Sequence, residues 1–221
     1  MSKVAILEQL GQKGADIPAF VERVIKRPKE IPELLEALKV EKSAVKYNYE
    51  KVLRLASERR PEMIYPYFEE FVGLLDSDNS FIKWGAIMTI ANLSSVDEKK
   101  KFDAIFKKYY APIRGKMMIT AANIIGSSTK IALSKPELTE RITREILKVE
   151  KAKYERHVKP SSECRNVAIG HAIDSFEKFF EQIDDKKAVI AFVKRQLKNT
   201  RKPVAKKAER FIRKHTNETT G

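Results

Sequence analysis

The sequence predicts an all-α chain folded as a right-handed α-solenoid, a superhelix of about five to six stacked antiparallel helix pairs. Three observations predict it. No window alternates apolar and polar residues long enough for a convincing strand. Glycine is scarce, and nine prolines punctuate the chain, most of them just ahead of an apolar-periodic segment, where the first helical turn tolerates proline. The second helices of successive pairs also share one register.

The pairs follow in order. The first covers about Ser2 to Leu10 and Ile17 to Lys26. The second joins Glu30–Leu38 to Ser43–Arg59, and the third Glu62–Leu75 to Asn79–Leu93. The fourth joins Asp97–Tyr109 to Pro112–Gly126, the fifth Pro136–Tyr154 to Ser161–Phe180, and the sixth Asp185–Leu197 to Arg201–His215. Ser134 and Glu137 form a capping-box pattern around Pro136. Residues 1–221 are expected to form one solenoid domain, with 1–28 as N-terminal capping helices and 216–221 as a disordered tail.

The register is carried by Val45-Lys46, Ile82-Lys83, Ile113-Arg114 and Cys164-Arg165, each an apolar residue followed by a basic one. The last helix keeps the apolar part in Val204, Ala208 and Phe211. Successive starts lie 37, 31, 51 and 40 residues apart. That is the scale of helical-hairpin repeats, in which each hairpin buries its face against its neighbours. The 51-residue step is assigned to a long first helix in the fifth pair and a loop at Ser127–Lys135.

The stretches Asp76–Ile87 (DSDNSFIKWGAI) and Ser43–Tyr49 (SAVKYNY) resemble HEAT and armadillo-like repeats. These repeats have an acid in the hairpin turn and an apolar-basic pair opening the second helix. The resemblance covers about Glu30 to His215. It implies a fold, and it implies a scaffold that binds other macromolecules.

Charge is unevenly placed. The net is +14, yet Lys186–Lys214 holds twelve Lys or Arg against one acid, Glu209. On a helical wheel Lys202, Lys206, Arg210 and Arg213 lie opposite Val204, Ala208, Phe211 and Ile212. Lys187, Lys194 and Lys198 form a second stripe. Such stripes attract polyanions, whether nucleic acid, an acidic protein surface or anionic lipid, and they equally serve as a solvated face. The register basics Lys46, Lys83, Arg114 and Arg165 have two readings. They line the inner wall of the solenoid, or each pairs with a turn acid, as Asp78 with Lys83, and fixes its hairpin. Of the aromatic set around the second and third pairs, Tyr49, Phe68 and Phe71 are expected in the core, and Tyr47 and Tyr65 are candidates for partner contact. Trp84 beside Lys83 either faces a groove or is buried.

Catalytic and metal signals are poor. Asp76, Asp78 and Ser80 imitate a calcium loop, but Phe81 stands where the loop needs glycine and Ile87 where it needs glutamate. The aspartates read better as helix caps. Cys164 and His171 share the apolar face and read as packed side chains. The three histidines make no ligand spacing. A likeness in size, charge and architecture extends to HEAT-like DNA alkylpurine glycosylases, where Trp84, Asp174 and Arg165 are the residues that would have to serve, without a local motif match. No catalytic residue, cofactor or metal is implied.

The apolar stretches Trp84–Leu93 and Met117–Gly126 span about ten residues, half of what a bilayer needs. Met1–Leu10 lacks the apolar core of a signal peptide. The lone Cys164 fits a cytoplasmic location. The expected function is a non-enzymatic scaffold or adaptor with a protein partner. A nucleic-acid-binding protein using the basic C-terminal pair is the alternative, and a glycosylase-like enzyme the third.

Overall fold

The computed structural model describes residues 5–41 and 43–216. Chain contacts divide it into two compact units, Met1–Ile105 and Phe106–Gly221. The expected tail at 216–221 lies outside the described residues except for Thr216, whose hydroxyl closes the last helix on the Ile212 carbonyl at 2.6 Å.

The first unit opens with α1 (Ala5–Leu10) and α2 (Ile17–Lys26) in the stretch expected to cap the stack. Asp16 caps α2 by accepting from the Ala19 N–H at 3.1 Å, and Pro18 sits in its first turn. α3 (Ile31–Val40) and α4 (Lys46–Arg59) make the next hairpin. The first helix of the third pair is broken. Pro66 divides it into α5 (Pro61–Ile64), a 3₁₀ turn at Tyr65–Tyr67 and α6 (Phe68–Leu74). α7 (Ser80–Leu93) follows, capped by Asn79, which accepts from the Phe81 and Ile82 N–H groups. The cap is therefore Asn79 and neither of the neighbouring aspartates. α4 is the centre of this unit. It packs on α2, α3 and α7, burying Tyr49, Val52, Leu53 and Ala56.

The division between units falls inside α8 (Lys101–Tyr110), whose start is held by Asp97. That carboxylate accepts from the Lys101 and Phe102 N–H groups and from the Tyr65 hydroxyl at 2.6 Å.

In the second unit the fourth pair departs from expectation. Ala111–Arg114 form a 3₁₀ turn, Gly115 is extended, and α9 runs from Met118 to Ser134. Ile113 is fully buried but sits in the turn, and Met117 is 58% exposed, so the shared register fails here. Ser127–Lys135, expected as a loop, is the second half of α9, with Lys135 following as its cap. The Ser128 hydroxyl returns to the Ile124 carbonyl at 2.7 Å and meets the Tyr110 hydroxyl at 3.1 Å, so a polar stretch is satisfied inside a helix. The Ser134 capping box does not form, because Ser134 ends α9 and the next 3₁₀ turn, Pro136–Leu138, has no side-chain cap.

α10 (Thr139–Leu147) and a 3₁₀ turn at Lys148–Lys151 replace the long helix expected to reach Tyr154. A two-residue hairpin, β1 (Glu155–Arg156) with β2 (Lys159–Pro160), follows. It corrects the expectation that all regular structure is helical. Its turn residues His157 and Val158 both have positive φ, 51° and 64°, the conformation of a tight primed hairpin turn. α11 (Ser162–Phe179), capped by Ser161, packs on α9 and α13. α12 (Lys186–Arg195) and α13 (Lys202–Thr216) complete the unit.

Of the five apolar register residues, Ile82, Ile113 and Val204 are buried, and Val45 and Cys164 are half-buried. His171 is exposed on α11 and is not the packed side chain expected. Partial burial and the nearby Lys207 still hold its imidazole below the usual value, against the opposing pull of Asp174.

Candidate binding surfaces

The basic C-terminal helices are sorted by the structure into two sets. Val204, Ala208 and Phe211 of α13 are buried, so the opposite face must point to solvent. Lys186 pairs with Glu181 at 2.7 Å, Arg195 with Glu150 at 2.8 Å, and Lys214 with Glu177 at 2.7 Å. Arg201 pairs with Glu163 and Lys207 with Asp174. The other seven cations are Lys187, Lys194, Lys198, Lys202, Lys206, Arg210 and Arg213. All are exposed, and none has a carboxylate within 4 Å among the described residues. They are the seven that the helical wheel selects. The neutralised basics pair with acids of neighbouring segments, and the unneutralised ones stand exposed to solvent.

The register basics divide between the units. Lys46 and Lys83 belong to the first and Arg114 and Arg165 to the second. Arg114 is exposed and the other three are half-buried. The expected Asp78–Lys83 pair is not made. Instead Lys46 lies 5.9 Å from the Tyr47 ring. Tyr47 stacks edge-on to Phe81 at 5.4 Å, and Phe81 to Trp84 at 5.2 Å. Phe81 is 62% exposed, so a partly exposed aromatic row stands beside Lys46. Tyr65 is not a free contact residue. It is half-buried on Asp97, and burial with that hydrogen bond pushes its pKa up to about 12.

Sequence reasoning missed a groove in the first unit. Leu7, Gly11, Pro32, Ala37, Val40, Val45 and Tyr49, from α1, α3 and the start of α4, line a cavity of about 770 Å³. Val40 is 65% exposed within it. Four carboxylates, Glu8, Glu33, Glu36 and Glu41, rim it against one lysine, Lys29. The register residue Val45 is only half-buried because it forms part of this wall. The visible signal was the pair of acids on α3, Glu33 and Glu36, with Glu41 just after it, in an otherwise basic chain.

A second cavity, of about 400 Å³, lies in the second unit and is lined by Arg114, Lys148, Lys151, Ala152 and Lys153. Asp174, assigned a role under the glycosylase likeness, is ion-paired with Lys207. Trp84 lies in the first unit, and Arg165 and Asp174 in the second. No cluster of three or more metal-ligating side chains occurs among the described residues. No described helix is long and apolar enough to cross a membrane.

No protein-family model matches the chain, and no curated protein sequence does. Solved structures do match. The designed armadillo repeat protein YIII(Dq)4CqI is similar with a TM-score of 0.52 and 13% identity, over 96% of this chain and 99% of that one. The designed armadillo repeat protein YIII(Dq.V1)4CPAF, solved in complex with the peptide (KR)4, gives the same figures. At that identity the likeness speaks for fold alone, and with the helix pairs described above it shows an armadillo-like, all-α helical-repeat fold.

Proposed function

We propose that this protein is a non-enzymatic scaffold whose partner is a protein, and that the groove on α1, α3 and α4 is where a peptide segment docks. The groove is the observation that carries the reading. A contiguous apolar cleft of this size, with an exposed valine, is the usual form of a site for a few anchoring side chains. Its rim of four carboxylates selects a segment carrying lysines or arginines around those anchors. The armadillo-like neighbour solved with (KR)4 is a fold of this kind holding a basic peptide. The lone Cys164 keeps a cytoplasmic location as part of the reading.

A second reading rests on the seven unneutralised cations of α12, α13 and their connecting turn. They offer phosphate contact without base specificity, and nucleic acid is the competitor for that face. The experiment separates the two. Fluorescence anisotropy is measured for the full chain with a labelled basic amphipathic peptide, an acidic peptide, a random DNA duplex and single-stranded RNA. The scaffold reading expects the basic peptide to bind and Val40→Glu to abolish it. Replacing Lys202, Lys206, Arg210 and Arg213 with glutamine should leave that binding intact. Duplex binding that falls by about 0.9 log units per log salt for each phosphate contact, and that the four glutamines flatten, favours the nucleic-acid reading. No peptide binding at all sinks the scaffold reading at this groove.

A further inference from the structure

We propose that the cavity lined by Arg114, Lys148, Lys151 and Lys153 is a binding site for a small anion of clustered phosphate charge. This goes beyond the peptide groove and does not depend on it. Among the described residues the only other one lining the cavity is Ala152, and no carboxylate borders it. Protein surfaces intersperse charges of both signs, and like charges around a concave space repel one another unless an anion joins them.

Of the three acids Glu145, Glu150 and Glu155, two are engaged outside this cluster. Glu150 is held by the guanidinium of Arg195, in two contacts of 2.8 Å each. Glu155 pairs with Lys116 at 3.0 Å. Glu145 reaches Lys148 at 2.5 Å, so one of the four cations is balanced. Arg114, Lys151 and Lys153 are exposed and have no acidic partner among the described residues. Cations at and after a helix C-terminus offset its carbonyl dipole, and Arg144 and Lys148 both serve α10 in that way. Arg114 and Lys151 stand likewise at the ends of their own 3₁₀ turns, an exposed dipole contact that leaves their charge open to an anion.

The walls are fixed before any ligand arrives. Arg114 ends one 3₁₀ turn, and Lys148 and Lys151 lie on another. The fully buried Tyr154 joins them by donating its hydroxyl to the Ile113 carbonyl at 2.7 Å. The Glu155 N–H donates to the Lys116 carbonyl at 3.0 Å. Ala152, buried, forms the floor. A planar guanidinium with five donors and flexible lysine side chains lining one space can supply donors to the oxygens of a polyphosphate. The group sits either on a soluble molecule or on a lipid headgroup.

The test is calorimetric titration of the full chain with sodium tripolyphosphate, repeated at two salt concentrations. Saturable binding of one anion per chain is expected. Arg114→Gln with Lys151→Gln should weaken it by at least about tenfold, since each removes a charge-assisted contact. Both side chains are exposed, so unchanged thermal unfolding confirms the fold of the variant. Changing Lys202, Lys206, Arg210 and Arg213 to glutamine should leave the affinity within about twofold, because hydrogen bonding to charge is local. A parallel arm sediments the protein with phosphatidylcholine vesicles containing a phosphoinositide. Capture that tripolyphosphate displaces assigns the site to a headgroup, and tripolyphosphate binding without capture assigns it to a soluble anion. The proposal is overturned if tripolyphosphate shows no saturable binding, if Arg114→Gln with Lys151→Gln leaves binding unchanged, or if the α13 glutamines remove it.

Discussion

Replacing Gly85 with alanine tests the packing of the first unit at its tightest point. A Cβ on Gly85 of α7 would come within 2.5 Å of the Glu50 Cγ on α4, and closer still to its carboxylate. Glu50 cannot simply swing away, because it is half-buried and bound to Arg54 at 2.8 Å. Overpacking of this kind costs about 1–3 kcal/mol. Alanine in a helix interior returns about 1 kcal/mol relative to glycine. The expected net effect is a loss of up to about 2 kcal/mol, read from urea denaturation midpoints. A Glu50→Ala background removes the three atoms nearest that Cβ, so the propensity gain of about 0.5–1 kcal/mol should then outweigh the packing cost. The sign of the effect should therefore reverse between backgrounds. An equal effect in both, or a stabilising Gly85→Ala alone, would refute close contact of α4 with α7 at this level.

Other outcomes follow from the same structure. Burial raises the Glu50 pKa despite Arg54, so the folded state holds that proton more tightly than the unfolded chain. Its contribution to stability is present at low pH and is lost as pH rises through the folded value, so Glu50→Gln should flatten that decline in unfolding measured from about pH 4 to 7. Phe211 is fully buried, with ring contacts to Phe180 at 5.1 Å and His215 at 4.5 Å. Phe211→Ala should cost about 3–5 kcal/mol by chemical denaturation, and a loss under about 1 kcal/mol would mean α13 is not anchored there. In the hairpin, Val158→Gly should stabilise by about 1 kcal/mol, since a β-branched residue at φ 64° is strained, and a lower melting temperature would show that the turn is not as described.

The fold class was legible because it rests on patterns repeated along the chain. Pro18, Pro32 and Pro61 mark true first turns, and Ile82 and Val204 lie buried where the register puts them. The failures fall where a tertiary partner decides. Ser127–Lys135 looks like a loop in composition, yet Ser128 is buried against Tyr110, and the helix continues through it. Ile113 keeps its burial without its helix, because the chain turns at Gly115 before α9 begins. His157 and Val158 carry no turn chemistry in sequence, so the hairpin gave no signal. The exposed basic stripe of α13 was legible because burial of Val204, Ala208 and Phe211 dictates what lies opposite them. The acid-rimmed groove was not, because its lining comes from three helices whose apposition no periodicity encodes.

The central claim is that a protein segment docks in the groove of the first unit. Hydrogen–deuterium exchange of the full chain, with and without a saturating basic amphipathic peptide, tests it most directly. The groove walls span residues 7–11, 29–41 and 45–49. Docking there should slow exchange in those segments and leave α12 and α13 unchanged. Protection confined to α12 and α13, or no protection anywhere, would contradict the account.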